Sequence, residues 1–148
     1  MLSVVNPVTI VATQDDIAAM EWIKQNVPSD AHFLINVRVW QEGAYMGSDG
    51  GYWIPILTGN QTVMPPAIYT QGTREYVKEI SEVGKVISSA HSLEEPDLRK
   101  LIEQNNITHV YLGARGGSLT PQMLLQARGA YLLYSNGSVW IFGLDSVF

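Results

Sequence analysis

The sequence predicts an α/β domain: a three-layer sandwich with a mainly parallel central sheet, closed by a C-terminal antiparallel hairpin. Three observations point there. β-rich runs alternate with segments of helical periodicity, which is the pattern of crossover-connected parallel strands. The dipeptide Asn136-Gly137 lies between two apolar, β-branched and aromatic runs near the end of the chain, a strong short-range hairpin signal. The chain has 148 residues and no cysteine, a size that buries one core without disulfides or thiolate metal sites.

The elements follow in order. Thr13 caps a helix in which Asp15 and Asp16 occupy the first turn, where the helix dipole favours anions, and Ile17, Met20, Ile23 and Val27 recur at helical spacing until Pro28 ends it. His32 to Val39 (HFLINVRV) is a largely buried strand, the first of the centre. From Gln41 to Tyr69 five glycines and three prolines interrupt any period, and the segment is expected to be irregular, with a short strand near Gln61 to Met64. Asp49, followed by Gly50 and Gly51, is a candidate N-cap for a short helix through Trp53 and Ile56.

Tyr76, Ile80, Val83, Ile87 and Ala90 set one apolar face of a helix over Thr73 to Ala90, with Arg74, Glu75, Lys78, Glu79, Glu82 and Lys85 among the intervening positions. Ser92 and Glu95 have capping-box spacing ahead of Leu98, Leu101 and Ile102, so a further helix runs to about Asn105. Thr108 to Gly113 is a strand, and Thr120-Pro121 is a cap followed by proline at the first helical position, opening a short helix through Met123, Leu124 and Ala127.

Composition excludes several functions. Charged residues are 16% of the chain and apolar residues 46%, so the sequence folds and leaves a surface of unusually low charge. Nine basic against 14 acidic residues give a net charge of -5 with no Lys/Arg cluster, and nucleic acid is therefore excluded as a partner. No apolar run reaches the roughly 18 to 20 residues that span a bilayer, and Met1 to Ala12 lacks the basic start and cleavage site of a signal peptide, so the chain reads as soluble. His32, His91 and His109 form no metal-binding spacing and no nucleophile elbow is present, so neither a metal, a cofactor nor a catalytic residue is expected.

Two stretches carry chemistry suited to a ligand. Between Val39 and Pro66, Trp40, Tyr45, Tyr52 and Trp53 are interleaved with Glu42 and Asp49 on a glycine-rich backbone. Aromatic faces beside carboxylates suit a carbohydrate or peptide groove, because sugar C–H faces stack on rings while carboxylates accept from hydroxyls; equally, such aromatics pack an irregular segment onto a sheet. Gly113 to Ser118, with Arg115 at its centre, lies between a strand and a helix, where backbone amides cradle anions, although glycines there also serve the turn itself. Both stretches follow strands of a parallel sheet and should meet at its carboxyl edge, so Trp40, Glu42, Asp49, Tyr52, Trp53 and Arg115 are the candidate ligand-binding residues. Three N-x-[ST] triplets begin at Asn60, Asn106 and Asn136; their chance frequency in a chain of this length is high, and two of them read as a helix end and a hairpin turn, not as glycan acceptors.

The order Asp15 to Ile35 (DDIAAMEWIKQNVPSDAHFLI), Ser48 to Pro66 (SDGGYWIPILTGNQTVMPP), Ile107 to Gly117 (ITHVYLGARGG) and Tyr131 to Leu144 (YLLYSNGSVWIFGL) resembles the C-terminal domain of polytopic prokaryotic membrane proteins of the GT-C glycosyltransferase type, over nearly the whole chain. The helix ending in N-x-P, the strand and the following aromatic segment are also distantly similar to the C-terminal domain of the oligosaccharyltransferase catalytic subunit. In that subunit a W-W-D-Y-G motif binds the acceptor peptide; the nearest match here is Ser48-Asp49-Gly50-Gly51-Tyr52-Trp53, in which Asp49 and Tyr52 map and the paired tryptophans ahead of the Asp are absent.

The resemblance implies an extracytoplasmic α/β domain at residues 13–148 on the cell membrane, with residues 1–12 as the lead-in from a transmembrane region outside this chain. It implies that this region of the same polypeptide and a glycan or peptide acceptor are the partners. The domain would assist acceptor binding and be inactive alone, since catalytic carboxylates of that class lie in membrane-proximal loops. Two other readings stay open: a free-standing module binding a small anion at Arg115, and a structural or interaction domain of a membrane protein.

Overall fold

The computed structural model describes residues 12–146, so most of the proposed lead-in lies outside the described residues. The elements are α1 (Gln14–Asn26), β1 (His32–Ile35), β2 (Val37–Gln41), β3 (Ala44–Gly47), a 3-10 turn (Gly50–Trp53), α2 (Ile54–Leu57), β4 (Gln61–Thr62), a second 3-10 turn (Ala67–Gln71), α3 (Arg74–Ser89), α4 (Pro96–Gln104), β5 (His109–Leu112), α5 (Pro121–Gln126), β6 (Ala130–Asn136) and β7 (Val139–Leu144). Among the described residues, no helix is long and apolar enough to cross a membrane.

The main sheet has the order β4-β1-β5-β7-β6. β1 pairs parallel with β4 and β5, while β7 runs antiparallel to both β5 and β6, so four of the five strands point the same way. Register aligns Phe33 with His109 and Ile35 with Tyr111, and Tyr111 with Ile141. Since side chains alternate along a strand, Phe33, Ile35, Tyr111 and Ile141 share one face, and Leu34, Val110 and Phe142 share the other. All seven are fully buried, so both faces of the sheet are covered. α1 covers the first face, where Asp16 accepts from the Tyr111 hydroxyl and the Trp22 and Tyr134 rings lie 5.0 Å apart. From α3, α4 and α5, Ile87, Leu98, Ile102 and Leu124 join the same contiguous core as the strands. The predicted three layers and the closing hairpin are present.

Local differences from the sequence reading have physical causes. The run His32 to Val39 is not one strand: it breaks at Asn36, and β2 leaves the sheet to pair antiparallel with β3 as a separate two-stranded ribbon. Asn36 is buried, with its side-chain amide donating to the Leu119 carbonyl (2.9 Å) and its carbonyl oxygen accepting from the Leu119 amide (2.9 Å). Its side chain thus bonds a distant loop while the chain turns away. The ribbon makes part of Gln41 to Tyr69 regular, and it packs on α3, where a Cβ at Gly84 would run into the Tyr45 ring.

α4 starts one turn later than the Ser92 spacing suggests, because Glu95 is its N-cap and the Glu95 carboxylate accepts from the amides of His91 (2.8 Å) and Ser92 (3.1 Å). In the closing hairpin Asn136 still pairs with Val139, so Gly137 (φ 57°) and Ser138 form the two-residue loop.

Candidate functional site

β1 and β5 end side by side, and the segments that follow them meet at the carboxyl edge of the sheet. The contact is built from short polar side chains of the first segment gripping the backbone of the second. Besides the Asn36–Leu119 pair, the Ser48 hydroxyl donates to the Gly116 carbonyl (2.6 Å), and the Asp49 carboxylate accepts from the Gly113 amide (2.7 Å). Asp49 also accepts from the Gly51 amide (3.0 Å), which makes it the cap of the 3-10 turn, as the Asp-Gly-Gly sequence suggests. A Cβ at Gly113 would meet the Asp49 carboxylate, and one at Gly117 the Asn36 amide, so glycine in this loop permits the approach of two backbones.

Beneath this contact lies a buried acidic layer. Asp16, in the first turn of α1, accepts from the Thr13 amide (2.6 Å), the Thr13 hydroxyl (2.8 Å) and the Tyr111 hydroxyl (2.5 Å), and the backbone at Gly50 passes directly against its carboxylate. Burial pushes the Asp49 carboxyl up to about 6; the amides of Gly51, Gly113 and Gly116 oppose this, and the charge of Asp16 adds to it. Burial likewise raises the Tyr111 phenol well above its ordinary range, with the Asp16 charge acting in the same direction, so the phenol stays a donor at every physiological pH.

The six candidate residues fall into two groups. Asp49, Tyr52, Trp53 and Arg115 belong to the carboxyl edge. Asp49 is 2% exposed with its oxygens facing backbone amides, Tyr52 and Trp53 are half-buried with rings in an edge-to-face contact at 5.3 Å, and Arg115 is exposed between the two glycines that Asp49 and Ser48 hold. Trp40 and Glu42 lie at the far end of the ribbon. A strand rises about 3.3 Å per residue, so the five residues from Ser48 back to Gly43 put the tip about 17 Å from the edge. There Glu42 lines a separate open depression of roughly 620 Å³ with Gln41, Ala44, Thr70 and Val77. Trp40 is 42% exposed.

Asn36, Ser48, Asp16 and Tyr111 are not among the candidate site residues read from the sequence, though they assemble the edge. Asp16 had a readable signal, three residues after Thr13. Asn36 and Ser48 had none, since their partners are 83 and 68 residues away. Among the described residues no group of three or more His, Asp or Glu side chains converges as a metal site. At the edge the Tyr52–Trp53 ring pair and the exposed Arg115 stand on segments joined by the Asp49–Gly113 bond.

No family model matches the chain, and no curated protein matches it. Among solved structures the chain is similar to the C-terminal globular domain of an oligosaccharyltransferase from Archaeoglobus fulgidus, at 16% identity, with a TM-score of 0.53, over 90% of this chain and 98% of that one. The likeness is one of fold, and it extends over nearly the whole of both chains.

Proposed function

We propose that this chain is the extracytoplasmic C-terminal domain of a GT-C-type membrane glycosyltransferase, that it helps to position a glycan or polypeptide acceptor, and that it turns over nothing alone. The observation that carries the reading is the likeness in fold to the oligosaccharyltransferase domain across 90% of the chain. The transmembrane region of the same polypeptide is its partner and supplies the catalytic carboxylates. The acceptor lies along the carboxyl edge, with a ring of Tyr52 or Trp53 stacked on an apolar sugar face or a peptide side chain, and Arg115 beside it. One such contact is worth about 1 kcal/mol against the roughly 4 kcal/mol of a millimolar Kd, so the ring supplies only part of the binding and the isolated domain binds weakly, at about millimolar Kd.

Titration of isotopically labelled chain with short glycans and acceptor-like peptides, followed by backbone amide shifts, tests this. Shifts at Tyr52, Trp53 and Arg115 are expected. Shifts confined to the opposite edge near Pro28, or none at 10-fold the proposed Kd, overturn it.

A further inference from the structure

We propose that Asn106 is an acceptor site for an N-linked glycan. This rests on the extracytoplasmic placement proposed above, because only there does the chain meet a lipid-phosphate-linked oligosaccharide. The three N-x-[ST] triplets are equal in sequence and very unequal in the fold. Asn60 is 3% exposed, and its side-chain amide donates to the carbonyls of Pro28 (2.8 Å) and Ala31 (3.4 Å); its nitrogen is both hidden and in use. Asn136 is exposed but belongs to the ladder opposite Val139, and the amide and hydroxyl of Ser138 both donate to the Asp15 carboxylate at 3.1 Å. The hydroxyl at the second position after that asparagine is therefore taken by a charged acceptor. A glycan there would also crowd the carboxyl edge.

Asn106 differs from Asn60 in exposure and from Asn136 in lying outside the ladder. It is the residue after the C-cap of α4, in left-handed backbone (φ 49°), outside any strand, and its peptide N–H donates to the Glu103 carbonyl (3.2 Å). Its side chain is exposed and makes no hydrogen bond among the described residues. Thr108 is exposed too; its hydroxyl accepts from the His32 amide (3.2 Å), donates to the His32 carbonyl (3.5 Å) and lies 2.8 Å from His109 Nδ1, with no carboxylate among these partners. Beside the asparagine an open depression of roughly 380 Å³, lined by Ile102, Ile107 and Leu144 together with Glu103, Asp145 and Ser146, leaves room for the first sugar. Serving as a helix end is what lifts the Asn106 amide clear. It also stands at the amino edge of the sheet, so a glycan leaves the Asp49 edge open.

In the transfer, Asn106 Nδ2 forms a bond to the anomeric carbon of the lipid-phosphate-linked glycan. The bond from that carbon to the phosphate oxygen breaks, the lipid phosphate leaves with the electron pair, and one Nδ2 proton passes to a base of the transferase.

The test incubates the folded 148-residue chain with an oligosaccharyltransferase and its lipid-linked oligosaccharide, with a free sequon peptide in the same reaction. Tryptic peptide 101–115 carries Asn106, 39–74 carries Asn60 and 129–148 carries Asn136. Peptide 101–115 is expected to gain the glycan mass and the other two to stay unmodified. Asn106→Gln and Thr108→Ala should remove the gain and Thr108→Ser should retain it, with a melting curve of each variant verifying its fold. Modification of the free peptide with none at 101–115, or a glycan on 39–74 or 129–148 in its place, overturns the proposal. Since this reaction reads acceptor geometry alone, failure here leaves the carboxyl-edge titration to stand or fall on its own result.

Discussion

Asp49 is the residue at which local sequence, packing and electrostatics meet. It caps the turn that delivers Tyr52 and Trp53, and it holds the segment that carries Arg115, at the cost of keeping a carboxyl buried beside Asp16. A carboxyl raised from 3.8 to about 6 binds its proton more tightly in the folded chain than in the unfolded one. Its linked stabilisation is complete below pH 3.8 and is lost as pH rises through 6, an effect of about 3 kcal/mol. Urea midpoints measured from pH 4 to pH 7 should therefore fall for the wild type relative to Asp49→Asn, whose side chain cannot ionise. Parallel curves for the two proteins would contradict the assignment. The capping role of this residue was legible in Asp-Gly-Gly; its grip on Gly113 was not, because that contact spans 64 positions.

Among the elements, the helices and the hairpin follow from periodicity and caps that lie within a few residues of one another: Thr13, Thr73 and Thr120 each stand where the sequence places a helix start. The β2–β3 ribbon was illegible for a different reason. HFLINVRV is uniformly β-forming, and what divides it is a tertiary bond from Asn36 to Leu119 that no local pattern announces. The ribbon is held to α3 by the Tyr45 ring against Gly84, and Tyr45 is also bonded through its backbone to the Tyr69 hydroxyl, at 2.8 Å from the amide and 2.7 Å to the carbonyl. Helix propensity alone would make Gly84→Ala favourable by about 1 kcal/mol. The Cβ would collide with a ring whose backbone is fixed, and overpacking of this kind costs about 1–3 kcal/mol. Gly84→Ala is therefore expected to lower Tm in calorimetry, with amide shifts concentrated over residues 37–47. An unchanged or raised Tm would show that the ribbon moves freely on α3.

For the whole molecule, the sheet polarises the surface into two edges with different equipment. The amino edge carries the exposed turn at Asn106; the carboxyl edge joins the segments after β1 and β5 and carries Asp49, Tyr52, Trp53 and Arg115. That the two segments meet was readable from strand order, since successive parallel strands deliver their loops to the same end. That Trp40 and Glu42 project away from it was not, because the ribbon that carries them is itself a product of the Asn36 break. This separation gives a prediction that distinguishes the six residues. Trp53 presents a half-buried ring braced at 5.3 Å by Tyr52, so a bound ring or sugar face gains from a surface that loses little freedom on binding. Trp40 lies four residues beyond Asn36 along β2, about 13 Å from the edge, too far to contact a monosaccharide bound there. In titrations with monosaccharides, Trp53→Ala should weaken the response at Arg115 at least 5-fold, corresponding to about 1 kcal/mol, while Trp40→Ala should leave it within 2-fold of wild type. Equal losses from both substitutions would mean that the ribbon folds over the edge on binding, and loss from Trp40→Ala alone would move the acceptor to the depression beside Glu42.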